Sequence, residues 1–341
     1  MGGKKVVGNE RNVGMGGKRS DGIVFGIKLS GGNLFVFLVE RSMVKKIILV
    51  KPRGLCAGVD RALTILDLAV KNNQGPIFYC RHEIVHNKKV VGEFQQKGVK
   101  FVEDLNQVPD KSVVVFSAHG SSPELFELAR KKNLTVIDAV CPLVTKVHQE
   151  AKKYADNNYF IIYIGHKNHP EAEGVLGEVR GKSVLISNLS EAKKLKISQK
   201  AVLLTQTTLS LEETRGIIDY LIKRWPNLEL PPGKDICFST TNRQLAVKEL
   251  AKHSDLILVV GSKNSSNSNR LKEAAGIKAY LVDGPEDLKK EWFKNKENVG
   301  ITAGASVPER LVDAVVKAVR LRFGGEIEEM EVIKEEVKFK L

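Results

Sequence analysis

Aromatic residues make up only 6% of this 341-residue chain, and cysteine occurs just four times. No basic stretch is interleaved with aromatics, so a stacking platform for single-stranded nucleic acid has nothing to be built from. The cysteines are not closely paired, which excludes the disulfide framework of a small secreted domain. No apolar run approaches the roughly 18 residues of a membrane span, and no GxGxxG stretch offers a dinucleotide fingerprint. These absences predict a cytoplasmic protein without membrane or nucleic-acid partners. Its thiols either serve chemistry or fill the core.

What is present is α/β sequence with a basic balance. Hydrophobic content of 42% and charged content of 28% suit a soluble globular protein, long enough for two or three domains. The net charge of +14 attracts anions, phosphorylated metabolites among them. Residues 1–42 stand apart, with ten of the 29 glycines and without the layout of a signal peptide. They are expected to be a non-catalytic extension, after which Met43 opens into a first strand, "KKIILVKP". From there β-branched runs such as "SVVVFSA", "YFIIYIG", "AVLLTQ", "DLILVVG" and "NVGITAG" alternate with helical stretches, the pattern of mainly parallel sheets.

Spacing reveals a repeat. A turn, a cysteine and a helix recur at Cys56 ("PRGLCAGVDRA"), Cys141 ("DAVCPLVTKVH") and Cys237 ("DICFSTTNRQ"), 85 and 96 residues apart. A polar strand-end loop follows each cysteine after 28 to 30 residues, carrying His86, His169 and Asn267 in turn. A second loop follows after 63 to 69 residues, carrying His119, Thr207 and Ser306. The expected architecture is three α/β units, 43–140, 141–236 and 237–325, around a pseudo-threefold axis, with a charged tail over 326–341. Ligands of open α/β sheets sit at the carboxyl ends of the strands, where these loops lie.

Three converging thiols suit a soft metal centre. Structural zinc prefers four ligands and closely spaced pairs. A [4Fe–4S] cluster normally takes four cysteines, so three would leave one iron open to a substrate oxygen. Cys80, inside "PIFYC", lies outside the repeat and reads as core. "GSKNSSNSNR" packs hydroxyls and amides ahead of a helix, a cradle for phosphate oxygens. In "GHKNHPEAEG", which also holds His166, Glu171 lies two residues beyond His169 and could deliver a proton, with Glu173 left to cap the helix. Thr207 could orient that acid. His82, His148 and His253 read as surface or core residues.

Together with "EIVHNKKVV", "FSAHG", "TQTTLS", "VVGSKNSSNSNRL" and "TAGASVPE", these motifs resemble the LytB-type 4-hydroxy-3-methylbut-2-enyl diphosphate reductases, which close the non-mevalonate isoprenoid route. The resemblance runs from about Met43 to Arg322. It implies a trefoil of three domains around a [4Fe–4S] cluster held by Cys56, Cys141 and Cys237. It further implies substrate contacts from His86, His119 and His169, and diphosphate contacts from Ser265, Ser266, Asn267 and Ser306. Glu171 matches the proton donor and Thr207 its assistant, while ferredoxin or flavodoxin would supply electrons. Two other classes share parts of the pattern. A non-redox iron–sulfur dehydratase would consume no electrons, and a basic phosphate- or nucleic-acid-binding scaffold would carry no iron.

Overall fold

A computed structural model describes residues 23–28, 34–39, 43–72, 79–233 and 235–341. The chain divides into two compact units, Met1–Ser42 and Met43–Leu341. In the first, strands β1 (Ile23–Lys28) and β2 (Leu34–Val39) pair antiparallel. The remainder of the 1–42 extension lies outside the described residues, as does the start of the "PIFYC" run.

The second unit holds three parallel sheets. One contains β3 (Lys46–Lys51), and a second β4 (Tyr79–Arg81), β5 (Lys100–Val102), β6 (Val113–Phe116) and β7 (Thr135–Asp138), in the order β5-β4-β6-β7. The three-stranded sheet takes β8 (Phe160–Ile164), β9 (Ser183–Ile186) and β10 (Ala201–Thr205) in the order β10-β8-β9. With β11 (Leu256–Val260), β12 (Ala279–Val282), β13 (Asn298–Ala303) and β14 (Glu326–Glu331), β3 completes the five-stranded sheet β12-β11-β13-β3-β14.

The strands read as continuous apolar runs because both faces of each sheet are covered. In β3, Ile47 and Leu49 join one core while Ile48 and Val50 join the core behind it. In β8, Ile161 and Tyr163 face one core and Ile162 and Ile164 the other. Cys80 is fully buried in the core of the four-stranded sheet. Among the described residues, no helix is long and apolar enough to cross a membrane.

The repeat is present, and of the expected units 43–140, 141–236 and 237–325 the first is the one that changes: β3, expected to open it, pairs with β13 of the third. The strand leading to each cysteine pairs within the preceding unit. Thus β7, ahead of Cys141, lies beside β6, and β3, ahead of Cys56, lies beside β13. Ahead of Cys237, Glu229 makes a single parallel bridge to Val202 of β10. The helix after each cysteine then joins the next unit: Pro142–Asp156 contributes Val147 and Ala151 to the β8 core, and Phe238–Ala251 contributes Ala246 and Val247 to the β11 core. Spacing counts residues along the chain and is blind to which sheet a strand joins. The expected tail 326–341 also begins as a strand, β14, because its backbone pairs with β3 from Glu326 to Glu331.

Candidate active site

Each cysteine stands where the chain crosses from one sheet to the next, and the same contact fixes all three. The Cys56 N–H donates to the Ala305 carbonyl at 3.2 Å, that of Cys141 to Ala118 at 3.0 Å, and that of Cys237 to Thr207 at 3.1 Å. These acceptors are the second polar loops of the preceding units, so every thiol is pinned beside Ser306, His119 or Thr207. Each cysteine also starts a helix. Cys141 and Cys237 are N-caps, and the Cys56 carbonyl accepts the first helical bond, from Asp60 N–H at 2.9 Å. Three helix N-termini, with their partial positive charge, therefore meet at one place.

They meet at a cavity of about 100 Å³. Its lining includes Cys56, Cys141, Cys237, His86, His119, His169, Glu171, Thr207, Ser265, Ser266, Asn267 and Ser306. All the site residues singled out in the sequence are thus gathered at one cavity. His166 is not among its lining; its Nε2 accepts from Arg270 Nη2 at 2.9 Å instead.

The thiols are approached closely. A Cβ at Gly58 would fall 2.3 Å from Cys141 Sγ, so only glycine leaves the sulfur its place. Cys237 Sγ accepts from Thr240 N–H at 3.2 Å and lies 3.0 Å from Thr240 Oγ1. Burial pushes the Cys141 thiol up to about 11 and that of Cys237 up to about 12, with neighbouring cysteines adding to the effect. Such thiols stay protonated until a cation takes up the thiolate charge. Among the described residues, no three His, Cys, Asp or Glu side chains close around one point as a single ion would require. The three thiols line the cavity wall instead, a donor set that fits a multi-iron group.

The histidines form a second wall. His86 and His119 stack at 4.3 Å between centroids, and His169 meets both edge-on at 5.6 and 5.7 Å. His169 N-caps the Pro170–Glu178 helix, its Nδ1 accepting from Glu171 N–H at 3.2 Å, which leaves the ring proton on Nε2. Burial, then the nearby His86 and His166, lowers the His169 pKa to about 3; burial holds His119 well below its ordinary value too. His86 is oriented by Glu83, 3.2 Å from its Nδ1, and Glu83 also accepts from Asn264 at 2.7 Å.

Glu171 is 1% exposed. Neither it nor Glu173 caps the helix by its side chain, since His169 does so. The Glu171 carboxyl instead accepts from Thr207 N–H at 2.7 Å and Thr207 Oγ1 at 3.0 Å. Burial raises its pKa to about 7 against the opposing pull of these two bonds. At the far wall Ser265 N-caps the Ser266–Ala274 helix, Ser266 donates to Thr208 O at 3.2 Å, and Ser306 donates to His86 O at 3.2 Å. Both amide atoms of Asn267 are buried without partners beside the cavity, and Nδ2 could donate to an oxyanion there.

Sequence reasoning passed over Thr240 and Thr208. Thr240 carries a local signal, since a residue three after a helix N-cap offers its N–H to the cap side chain. Thr208 carried none.

The LytB protein family model matches residues 47–320. The 4-hydroxy-3-methylbut-2-enyl diphosphate reductase of Francisella tularensis subsp. tularensis (strain WY96-3418) is 49% identical over 304 residues, 87% of this chain and 95% of its own. That of subspecies novicida (strain U112) is also 49% identical, over 306 residues with the same coverage. The solved E-1-hydroxy-2-methyl-but-2-enyl-4-diphosphate reductase from Plasmodium falciparum aligns with a TM-score of 0.85 at 37% identity, over 87% of this chain and 96% of that one. A second solved structure, described as the terminal enzyme of the non-mevalonate pathway, aligns at 0.61 and 31% identity, over 82% of this chain and 100% of that one.

Proposed function

This chain belongs to the LytB protein family, and from that premise we propose that it is a 4-hydroxy-3-methylbut-2-enyl diphosphate reductase, the role in which its relatives are named. The family is one of iron–sulfur enzymes. The finer proposal is that Cys56, Cys141 and Cys237 hold a [4Fe–4S] cluster with one iron free of protein ligands. The observation that carries this reading is one cavity walled on one side by three thiols at helix starts and on another by a buried acid and three histidines.

The reaction replaces an allylic hydroxyl by hydrogen: two electrons and two protons enter, and water and isopentenyl or dimethylallyl diphosphate leave. The cluster, when bound, supplies a Lewis-acidic iron and the route for electrons. The protein supplies the rest. Ser265, Ser266, Asn267, Ser306 and the histidines hold the diphosphate, Asn267 donating from the Nδ2 that otherwise lacks a partner. His169 presents Nε2–H as a neutral donor. Glu171, held half-protonated near neutral pH by its burial, delivers the proton that lets the hydroxyl leave as water; Thr207 keeps the carboxyl aimed and passes a proton back to it. Electrons come from a small acidic redox protein such as ferredoxin or flavodoxin, which the net charge of +14 would attract.

The test is an anaerobic turnover assay with reduced viologen and 4-hydroxy-3-methylbut-2-enyl diphosphate. Two electrons consumed per five-carbon diphosphate released is the expected result. Water elimination without viologen oxidation would replace the reductase by a dehydratase.

A further inference from the structure

Arg243 is a buried cation, 1% exposed, for which the proton and substrate contacts above have no use. It lies in the second turn of the helix that Cys237 caps. Its Nε and Nη2 donate to the Gly54 carbonyl at 3.1 and 2.9 Å, and Nη2 also reaches the Leu55 carbonyl at 3.2 Å. Those carbonyls belong to the turn immediately before Cys56. Its Nη1 donates to Ser239 O at 3.0 Å and to the Glu335 carboxylate at 3.0 and 3.1 Å. Glu335, beyond β14, also accepts from Asn242 at 3.0 Å.

A second arginine makes the matching tie. Arg61, in the helix begun by Cys56, donates through Nη1 to the Val140 carbonyl at 3.0 Å, the residue before Cys141. Its Nε donates to the Lys340 carbonyl at 2.7 Å, in the same C-terminal segment as Glu335. One guanidinium thus joins the turns of Cys56 and Cys237, and another joins those of Cys56 and Cys141. The C-terminal segment runs past both, placing Val337 and Phe339 with Cys56 along an outer cleft.

We propose that Arg243 and Arg61 are positioning residues that set the spacing of the three cysteine turns, with Glu335 as the counter-ion that lets Arg243 stay buried. This rests on the cluster reading above. The carbonyls lie around a planar fork that a guanidinium can bridge and an ammonium cannot. A guanidinium stripped of its carboxylate partner would be an uncompensated buried charge. The tail after β14 is on this account part of the cluster mount.

The experiment compares wild type, Arg243→Lys, Arg61→Lys and Glu335→Gln as full chains reconstituted anaerobically with iron and sulfide. Two properties are read: the rate of iron release to a chelator well below the melting temperature, and the electron paramagnetic resonance signal of the reduced cluster. Release should quicken about 10- to 100-fold in Arg243→Lys, as for other groups that orient metal ligands, with a shifted signal. Arg61→Lys, which breaks the other tie, and Glu335→Gln, which removes the counter-ion that lets Arg243 stay buried, should quicken release in the same direction and test the same point should Arg243→Lys not fold. Variants that melt earlier yet release iron at the wild-type rate with an unchanged signal would overturn positioning and leave a stabilising role only. Wild type that takes up no iron would overturn the cluster reading and this one with it.

Discussion

Replacing Glu171 by glutamine separates the carboxyl's chemistry from its shape. Gln Oε1 can still accept from Thr207 N–H and Nε2 can donate to Thr207 Oγ1, so both contacts survive. What disappears is an acid held near pKa 7 by burial, against an ordinary value of 4.5. At pH 7 such a group is about half protonated, where an ordinary carboxyl is protonated well below about 1%. Turnover should fall about 10²-fold or more while substrate binding holds. Stability should move the other way. The folded state binds the Glu171 proton more tightly than the unfolded chain, so stability is lost as pH rises from 4.5 through about 7. Above that window the penalty reaches about 3 kcal/mol. Urea unfolding of wild type and Glu171→Gln, in the same state of cluster loading, should therefore give similar stability below pH 4.5 and a more stable variant at pH 8. A difference that does not change with pH, or wild-type turnover in the variant, would refute the argument.

Gly58→Ala should cost about 1–3 kcal/mol through overpacking, because its Cβ would sit 2.3 Å from Cys141 Sγ. Iron content after reconstitution should drop with it, as iron and sulfide analysis would read. Asn267→Ala removes an amide that is buried without partners, so melting of the substrate-free protein should be unchanged or higher. The same variant should raise KM about tenfold or more, since hydrogen bonds to a charged ligand are worth about 1.5–3 kcal/mol. Deleting residues 1–42 should leave kcat/KM unchanged, because Met43–Leu341 forms a compact unit by itself.

Much of the candidate site was legible because its residues lie in loops whose polarity interrupts apolar strands. Cys56, Cys141 and Cys237, and the loops of His86, His119 and His169, could be matched by counting alone. Their phase could not. Whether "KKIILVKP" pairs with β13 or with a strand of its own unit depends on hydrogen bonds between residues about as far apart as the chain allows. The tail "EIEEMEVIKEEVKFKL" reads as charged and solvated. It becomes an edge strand because its acids meet bases on β3 and the following turn, Lys46 with Glu328 at 2.8 Å and Arg53 with Glu329 at 3.1 Å. Arg243 looks like any helical surface arginine beside "NRQ"; its burial follows from two distant carbonyls and one distant carboxylate.

The five-stranded sheet also sets a timetable. Its strand β3, among the first segments of this unit to be synthesised, has as its neighbours β13 and β14, among the last. The other two sheets draw on residues 79–205 alone and can close while the rest is still being translated. The Cys56 turn cannot, because the Ala305 carbonyl that receives its N–H and the Glu335 carboxylate that steadies its arginine do not yet exist. Domains that close early fold during synthesis. Here the Cys56 turn gains its contact with Ala305 only after the segments that carry Cys141 and Cys237 have been made, so the first cysteine of the site in the chain is the last of the three to be fixed.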